Sequence, residues 1–196
     1  MENTVTLVLG GARSGKSEFA EKLMHQSALP RKGYVATSQV LDDEMRYRVI
    51  VHQERRPKDW KTFEVMHGAG PMMEEIMEAS DAVLFDCITM YVNNLLMDHI
   101  RDAGQETLSV TDLEELRDAL TKDLDRVFSV ISRYQGKEII FVSDELGMGI
   151  VPANAMSRVY RDLVGLANQY VARRAAHVYL SIAGITIDLK RSEVRL

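Results

Sequence analysis

The chain has 196 residues, 46% hydrophobic and 27% charged, with 24 Lys+Arg against 29 Asp+Glu for a formal net charge of −5. That is ordinary globular composition with enough length for one sizeable core, and the mild acidity argues against a protein built to grip bulk nucleic acid. The one cysteine, Cys87, excludes an internal disulfide and a cysteine metal cluster.

No apolar run approaches the ~18 residues of a membrane span, and Met1-Glu2-Asn3 lacks the basic start of a signal peptide. A single cytoplasmic domain over 1–196 is therefore expected. Thr4 to Leu9 is a β-branched run ending at a glycine pair and predicts a first strand. Ser14 to His25 follows as a helix, with Phe19, Ala20 and Leu23 at helical spacing. Gly33 to Thr37 predicts a second strand. Asp42-Asp43-Glu44 places acids where a helix dipole favours them, and Pro57 ends that helix. Trp60 to Val65 predicts a short strand, and Pro71 to Ala79 a helix with proline in its first turn.

Ala82 to Asp86 is a buried-type strand ending in a carboxylate, and Ile88 to His99 is helical. Arg101 to Ser109 is the best linker. Thr111-x-x-Glu114 has the form of a capping box. Behind it Leu113, Leu116, Leu120, Leu124, Val127 and Ile131 mark one face of a long helix over Asp112 to Tyr134. Glu138 to Ser143 is a strand, Ala155 to Arg174 a helix, His177 to Ile182 a core strand, and Ile185 to Leu189 an edge ribbon. Strands alternating with helices imply a mainly parallel α/β sheet covered on both faces.

Gly10-Gly11-Ala12-Arg13-Ser14-Gly15-Lys16-Ser17 fits the pattern G-x-x-x-x-G-K-[ST] in full. Glycines let backbone N–H groups converge on phosphate oxygens at a helix start, where the dipole also favours anions. Lys16 supplies a cation to the β/γ-phosphates and the Ser17 hydroxyl can bind Mg²⁺. A random chain of this length would match roughly once in a hundred or less, and here the motif follows a strand and precedes a helix. It predicts nucleotide binding. A strand-end acid usually completes the metal site. Asp86 is preferred, with Asp144 and Glu145 as rivals that could equally cap the following helix.

From Arg46 to Lys61 six basic residues stand against Glu54 and Asp59. If that stretch is helical, Arg48 and Arg56 flank His52 one turn to each side, with Arg55 at i+3. Nearby cations favour a neutral, nucleophilic imidazole, suited to covalent attack on phosphorus. Spacing alone also allows a surface histidine on a solvated basic face.

Taken together, GGARSGKS at 10–17, Tyr34-Val-Ala-Thr-Ser-Gln39, Asp42-Asp43-Glu44-Met45, His52, Arg56-Pro57, Glu145-Leu-Gly-Met-Gly-Ile-Val-Pro152, Ala183-Gly184 and Lys190 resemble one family. It is the bifunctional adenosylcobinamide kinase/adenosylcobinamide-phosphate guanylyltransferase family of cobalamin biosynthesis. The likeness runs almost from end to end and implies a P-loop, RecA-like three-layer fold.

It also implies two reactions. ATP or GTP phosphorylates the hydroxyl of the aminopropanol arm of adenosylcobinamide. GTP then guanylylates a histidine, which falls on His52, and GMP passes to adenosylcobinamide phosphate to give adenosylcobinamide-GDP. Nucleotide contacts fall on Gly10 through Ser17, on Ala36, Thr37 and Ser38, on Gln53, Glu54, Arg55 and Arg56, and on Glu64. The family's strand-end acid, commonly glutamate, falls on Asp86, and Asp144 stands where asparagine is usual. A homotrimer is implied as well. The rival expectations are a P-loop kinase for another small metabolite and a nucleotide-binding regulatory module without chemistry.

Overall fold

The computed structural model describes residues 2–39, 57–103 and 108–194. Its elements run in chain order β1 (Thr4–Gly10), α1 (Lys16–Gln26), β2 (Lys32–Ala36), β3 (Lys61–Glu64), α2 (Ala69–Ala79), β4 (Ala82–Asp86) and α3 (Ile88–Ala103). They continue with α4 (Val110–Arg133), β5 (Glu138–Asp144), α5 (Ala155–Arg174), β6 (His177–Ile182), β7 (Ile185–Asp188) and a short 3₁₀ turn at Lys190–Ser192. The strands form one seven-stranded sheet in the order β3-β2-β4-β5-β1-β6-β7. Every neighbouring pair is parallel except β6–β7. The sheet is thus mainly parallel, as the alternation predicts, with the terminal ribbon turning back as an antiparallel edge.

Period-two burial sorts the strand residues between two apolar layers. Val5, Leu7 and Leu9 of β1 join Val83, Phe85, Ile139 and Phe141 beneath α2, α3, α4 and α5. Val8, Leu84, Ile140 and Val142 face the other way, against Ala20 and Met24 of α1 and against Trp60. Helices on both faces of a parallel sheet explain why β1, β4 and β5 read as nearly unbroken apolar runs. The strand carrying Asp86 is separated from β1 by β5, the strand insertion expected of a RecA-like P-loop fold.

Several boundaries differ from expectation by one or two residues, as at α2, which starts at Ala69 rather than Pro71, and three differences have a local reason. Helix α1 starts at Lys16 rather than Ser14, because Gly15 takes a left-handed φ of 94° as its N-cap. Helix α3 continues to Ala103, so Arg101, Asp102 and Ala103 are helical rather than linker. The capping box is Ser109-x-x-Asp112 and not Thr111-x-x-Glu114. The Asp112 N–H donates to Ser109 Oγ at 3.2 Å, and the Ser109 N–H donates back to Asp112 Oδ2 at 2.7 Å. Aspartate does here what glutamate does in the usual box, two residues earlier than expected. The Ser109 hydroxyl, donating to Asp112 Oδ2 at 2.6 Å, then the Ser109 N–H and then His99 lower the Asp112 carboxyl to about 2.

Candidate active site

The carboxyl ends of the strands carry the residues that the motifs single out. In β1 register Gly10 pairs with Asp144 on one side and Ser181 on the other. Across the sheet Ala36 pairs with both Glu64 and Asp86. The phosphate loop and the ends of β2, β3, β4 and β5 therefore share one edge, the place where open α/β sheets bind ligands.

Steric and dihedral limits dictate two of the loop's glycines, Gly10 and Gly15. A Cβ at Gly10 would lie 2.3 Å from Ser14 Oγ and 2.6 Å from the Ser181 carbonyl oxygen, so no larger residue fits. Gly15 and Arg13 both have positive φ, 94° and 57°, and the chain turns there to present N–H groups in the concave manner that suits anions. Two neighbours brace the loop. The Glu145 N–H donates to the Gly10 carbonyl at 3.2 Å, and the Gly184 N–H donates to the Ser14 carbonyl at 2.9 Å.

Lys16 lies across the loop. Its Nζ is 2.5 Å from Asp144 Oδ1, with side chains 13% and 23% exposed, and it donates to the Gly11 carbonyl at 3.3 Å. The cation is therefore held over the loop by a partly buried carboxylate, a position a phosphate oxygen can take over. Asp144 is itself fixed. Its N–H donates to Thr89 Oγ1 at 2.7 Å, and Asn168 Nδ2 donates to its carbonyl at 3.0 Å.

Asp86, the preferred acid, ends β4 and accepts from the buried Tyr34 hydroxyl at 3.0 Å. The next residue, Cys87, is chemically quiet, because burial of its sulfur and then the charge of Asp86 push the thiol up to about 12. Thr37 is fully buried and pins β2 to β4. Its hydroxyl donates to the Cys87 carbonyl and accepts from the Cys87 N–H, both at 2.8 Å. Asn94 Nδ2 donates to the Thr37 carbonyl at 2.8 Å, so the Thr37 side chain shapes the edge rather than pointing a free hydroxyl at a ligand. Ala36 and Ser38 flank it half-buried, and Glu64 is exposed at the end of β3.

Ser17 sits in the first turn of α1. The segment expected to be helical from Asp42, with His52, Gln53, Glu54, Arg55 and Arg56, lies outside the described residues. The structure thus joins the loop to Asp86, Asp144, Ala36, Thr37, Ser38 and Glu64. Two features had no clear sequence signal: the Tyr34–Asp86 bond, made by a residue that reads as strand core, and the Lys16–Asp144 pair. The rivalry of two strand-end acids was visible; which one Lys16 holds needed the strand order.

These residues stand in a chain similar to several known proteins. Residues 6–189 match the family model for CobU, cobinamide kinase / cobinamide phosphate guanyltransferase. The chain is 36% identical over 184 residues to the bifunctional adenosylcobalamin biosynthesis protein CobU of Escherichia coli, covering 94% of this chain and 98% of that protein. It is 37% identical to the CobU of Salmonella typhimurium over the same shares. It is 38% identical to the bifunctional adenosylcobalamin biosynthesis protein CobP of Pseudomonas aeruginosa, over 94% of this chain and 96% of that one. Among solved structures, an ATPase from the type III secretion system of pathogenic bacteria aligns with a TM-score of 0.53 at 12% identity. That alignment covers 98% of this chain and 59% of the ATPase. At that identity the likeness concerns the fold alone.

Proposed function

The chain belongs to the cobinamide kinase / cobinamide phosphate guanyltransferase family, and from that premise we propose that one domain, residues 1–196, carries two successive transfers. In the first, the hydroxyl oxygen of the aminopropanol arm of adenosylcobinamide attacks the γ-phosphorus of ATP or GTP. A new O–P bond forms, the β,γ-bridging bond breaks, and the nucleoside diphosphate leaves. In the second, a ring nitrogen of His52 attacks the α-phosphorus of GTP and pyrophosphate leaves. A phosphate oxygen of adenosylcobinamide phosphate then displaces the histidine, giving adenosylcobinamide-GDP. Splitting one displacement into two predicts ping-pong kinetics for the guanylyl step.

One observation carries this assignment to the site: Lys16 is poised over a glycine loop that leads directly into the start of α1. Phosphoryl transfer asks the protein mainly for position and charge. When triphosphate enters, Lys16 exchanges Asp144 for phosphate oxygens, and backbone N–H groups of 11–16 take the remainder. Arg13 and Ser14 belong to the same cradle, as do Gly11, Ala12 and Gly15. Ala36, Thr37 and Ser38 with Glu64 border the nucleoside, and Gln53, Glu54, Arg55 and Arg56 accompany His52.

The donor set at the edge suits Mg²⁺: a Ser17 hydroxyl and an Asp86 carboxylate are hard oxygen ligands. When bound, such an ion neutralises charge on the phosphates. Tyr34, which donates to Asp86, holds that carboxylate in orientation. The same reading makes the protein a cytoplasmic homotrimer acting on small molecules; sedimentation velocity tests the oligomer. No helix among the described residues is long and apolar enough to cross a membrane.

The test is incubation with GTP labelled at the α-phosphate. Wild type takes up acid-labile, alkali-stable label, the signature of a P–N bond, and His52→Ala takes up none. Unlabelled wild type contradicts the guanylyl step and leaves a simple P-loop kinase.

A further inference from the structure

Beside the phosphate loop lies a cavity of about 680 Å³ between α4, α5 and the segment 145–151. We infer that it is the acceptor subsite, taking the macrocycle edge and amide fringe of the corrinoid while its arm reaches the phosphates. This rests on the reading of the two transfers given above, and it concerns where the acceptor sits.

Continuity with the loop is the first ground. Glu145, at the cavity wall, donates its N–H to the Gly10 carbonyl. It directly follows Asp144, the partner of Lys16. Anything seated in the cavity is therefore one residue from the group that holds the reacting phosphates.

The cavity also faces the reactive edge. Asp123 accepts from the Gly70 N–H, at the start of α2 just past the end of β3. Leu113 and Arg117 lie earlier in α4 and so rise beyond the sheet edge by about 9–15 Å at 1.5 Å per residue. The wall they make stands on the side where a transferred phosphate must be met.

The lining chemistry selects the ligand class. Leu146, Val151, Val159 and Leu166 give an apolar wall, and Met148 and Ile150 stand exposed in the same segment. Two arginines, Arg117 and Arg161, are balanced by two carboxylates, Glu145 and Asp162. Glu145 Oε1 already accepts from the Gly147 N–H at 2.6 Å, and Arg161 lies 3.5 Å from Asp162. A set balanced in this way attracts a polyanion only weakly, so the triphosphate stays at the loop. It does suit a large molecule with apolar faces whose amides both donate and accept.

A glycine in the middle of α5 supports the assignment. Gly165 lines the cavity, and a Cβ built there meets nothing within 4 Å. Helix interiors disfavour glycine, and no close packing demands it at this position. Its effect is to leave the cavity floor open.

The experiment fills that floor. Retention of adenosylcobinamide is measured by equilibrium dialysis for wild type, Gly165→Ala and Gly165→Phe, with uptake of α-labelled GTP as an independent readout. Wild type and Gly165→Ala retain the corrinoid, Gly165→Phe binds it at least tenfold more weakly, and all three take up label. Gly165→Leu replaces the phenylalanine variant if that protein fails to label. Undiminished corrinoid binding by the labelled, space-filled variant overturns the subsite and leaves the two-transfer reading standing. If that variant instead keeps corrinoid and changes its sedimentation coefficient, the cavity is a contact between copies and the inference is wrong. A wild type that neither labels nor retains corrinoid overturns both.

Discussion

At the amino edge of the sheet Asp81 is held on all sides. Arg31 donates to both its oxygens at 2.9 and 2.6 Å, and Lys137 donates at 2.9 Å. Arg31 also donates to the Glu78 carbonyl and Lys137 to the Ser80 carbonyl. At the carboxyl edge Asp144 is paired with Lys16, which also donates to the Gly11 carbonyl. Both are ion pairs at the ends of neighbouring parallel strands. In the first, two cations share one carboxylate and also hold main-chain carbonyls, and the cluster ties the starts of β2, β4 and β5 together. In the second, a single cation faces a single carboxylate beside the glycine loop, where an incoming anion can replace that carboxylate. Two cations bridged by one carboxylate mark a structural cluster, and a single cation–carboxylate pair beside a phosphate loop marks one that can exchange partners.

Substitutions at the two edges should therefore fail in different ways. The largest effect is expected at the carboxyl edge. Lys16→Met removes the positioned charge, so nucleotide-dependent transfer falls on the order of a thousandfold with the melting temperature nearly unchanged. A melting temperature that collapses with activity would put Lys16 in the structural class.

Asp81→Asn comes next and should do the opposite. Losing charge-assisted bonds from two cations costs about 2–3 kcal/mol of stability, read by urea denaturation, while transfer per folded molecule is kept. The same variant flattens the acid limb of the stability curve. Arg31 and then Lys137 hold the Asp81 carboxyl well below the ordinary range. Its contribution is complete above the unfolded pKa of about 4 and is lost as pH falls from there through the depressed folded value. Wild type should lose stability over that window more steeply than the variant. Parallel acid limbs would remove Asp81 from the account.

Asp144→Asn has the smallest effect. Removing the carboxylate that competes for Lys16 should tighten triphosphate binding by about 0.5–1 kcal/mol, a two- to fivefold gain by calorimetry. Weaker binding would instead place Asp144 among the groups that assist the nucleotide or its metal.

Much of this contrast was legible in the residues themselves. GGARSGKS between a β-branched run and a helix could scarcely be anything but a phosphate loop, and in the structure Gly10 answers a steric requirement and Gly15 a φ requirement. The unbroken apolar runs of β1, β4 and β5 marked a covered parallel sheet. What stayed hidden depends on strand order. Gly10 and Asp144 lie far apart in sequence and pair only because β5 inserts between β4 and β1, so no spacing rule links Lys16 to Asp144. Tyr34 reads as strand core, and only the neighbouring β4 gives its hydroxyl a carboxylate. The capping box shifted because Ser109 and Asp112 compete with Thr111 and Glu114 for one helix start, and the closer-reaching pair wins.

The central claim is that one phosphate loop serves two transfers and that only the second runs through His52. It is tested most directly with His52→Ala, adenosylcobinamide, and GTP labelled at either the γ- or the α-phosphate. The account predicts that γ-label still reaches adenosylcobinamide while α-label reaches neither protein nor corrinoid. Loss of γ-transfer in a folded His52→Ala protein, or α-label still delivered to the corrinoid, would contradict it.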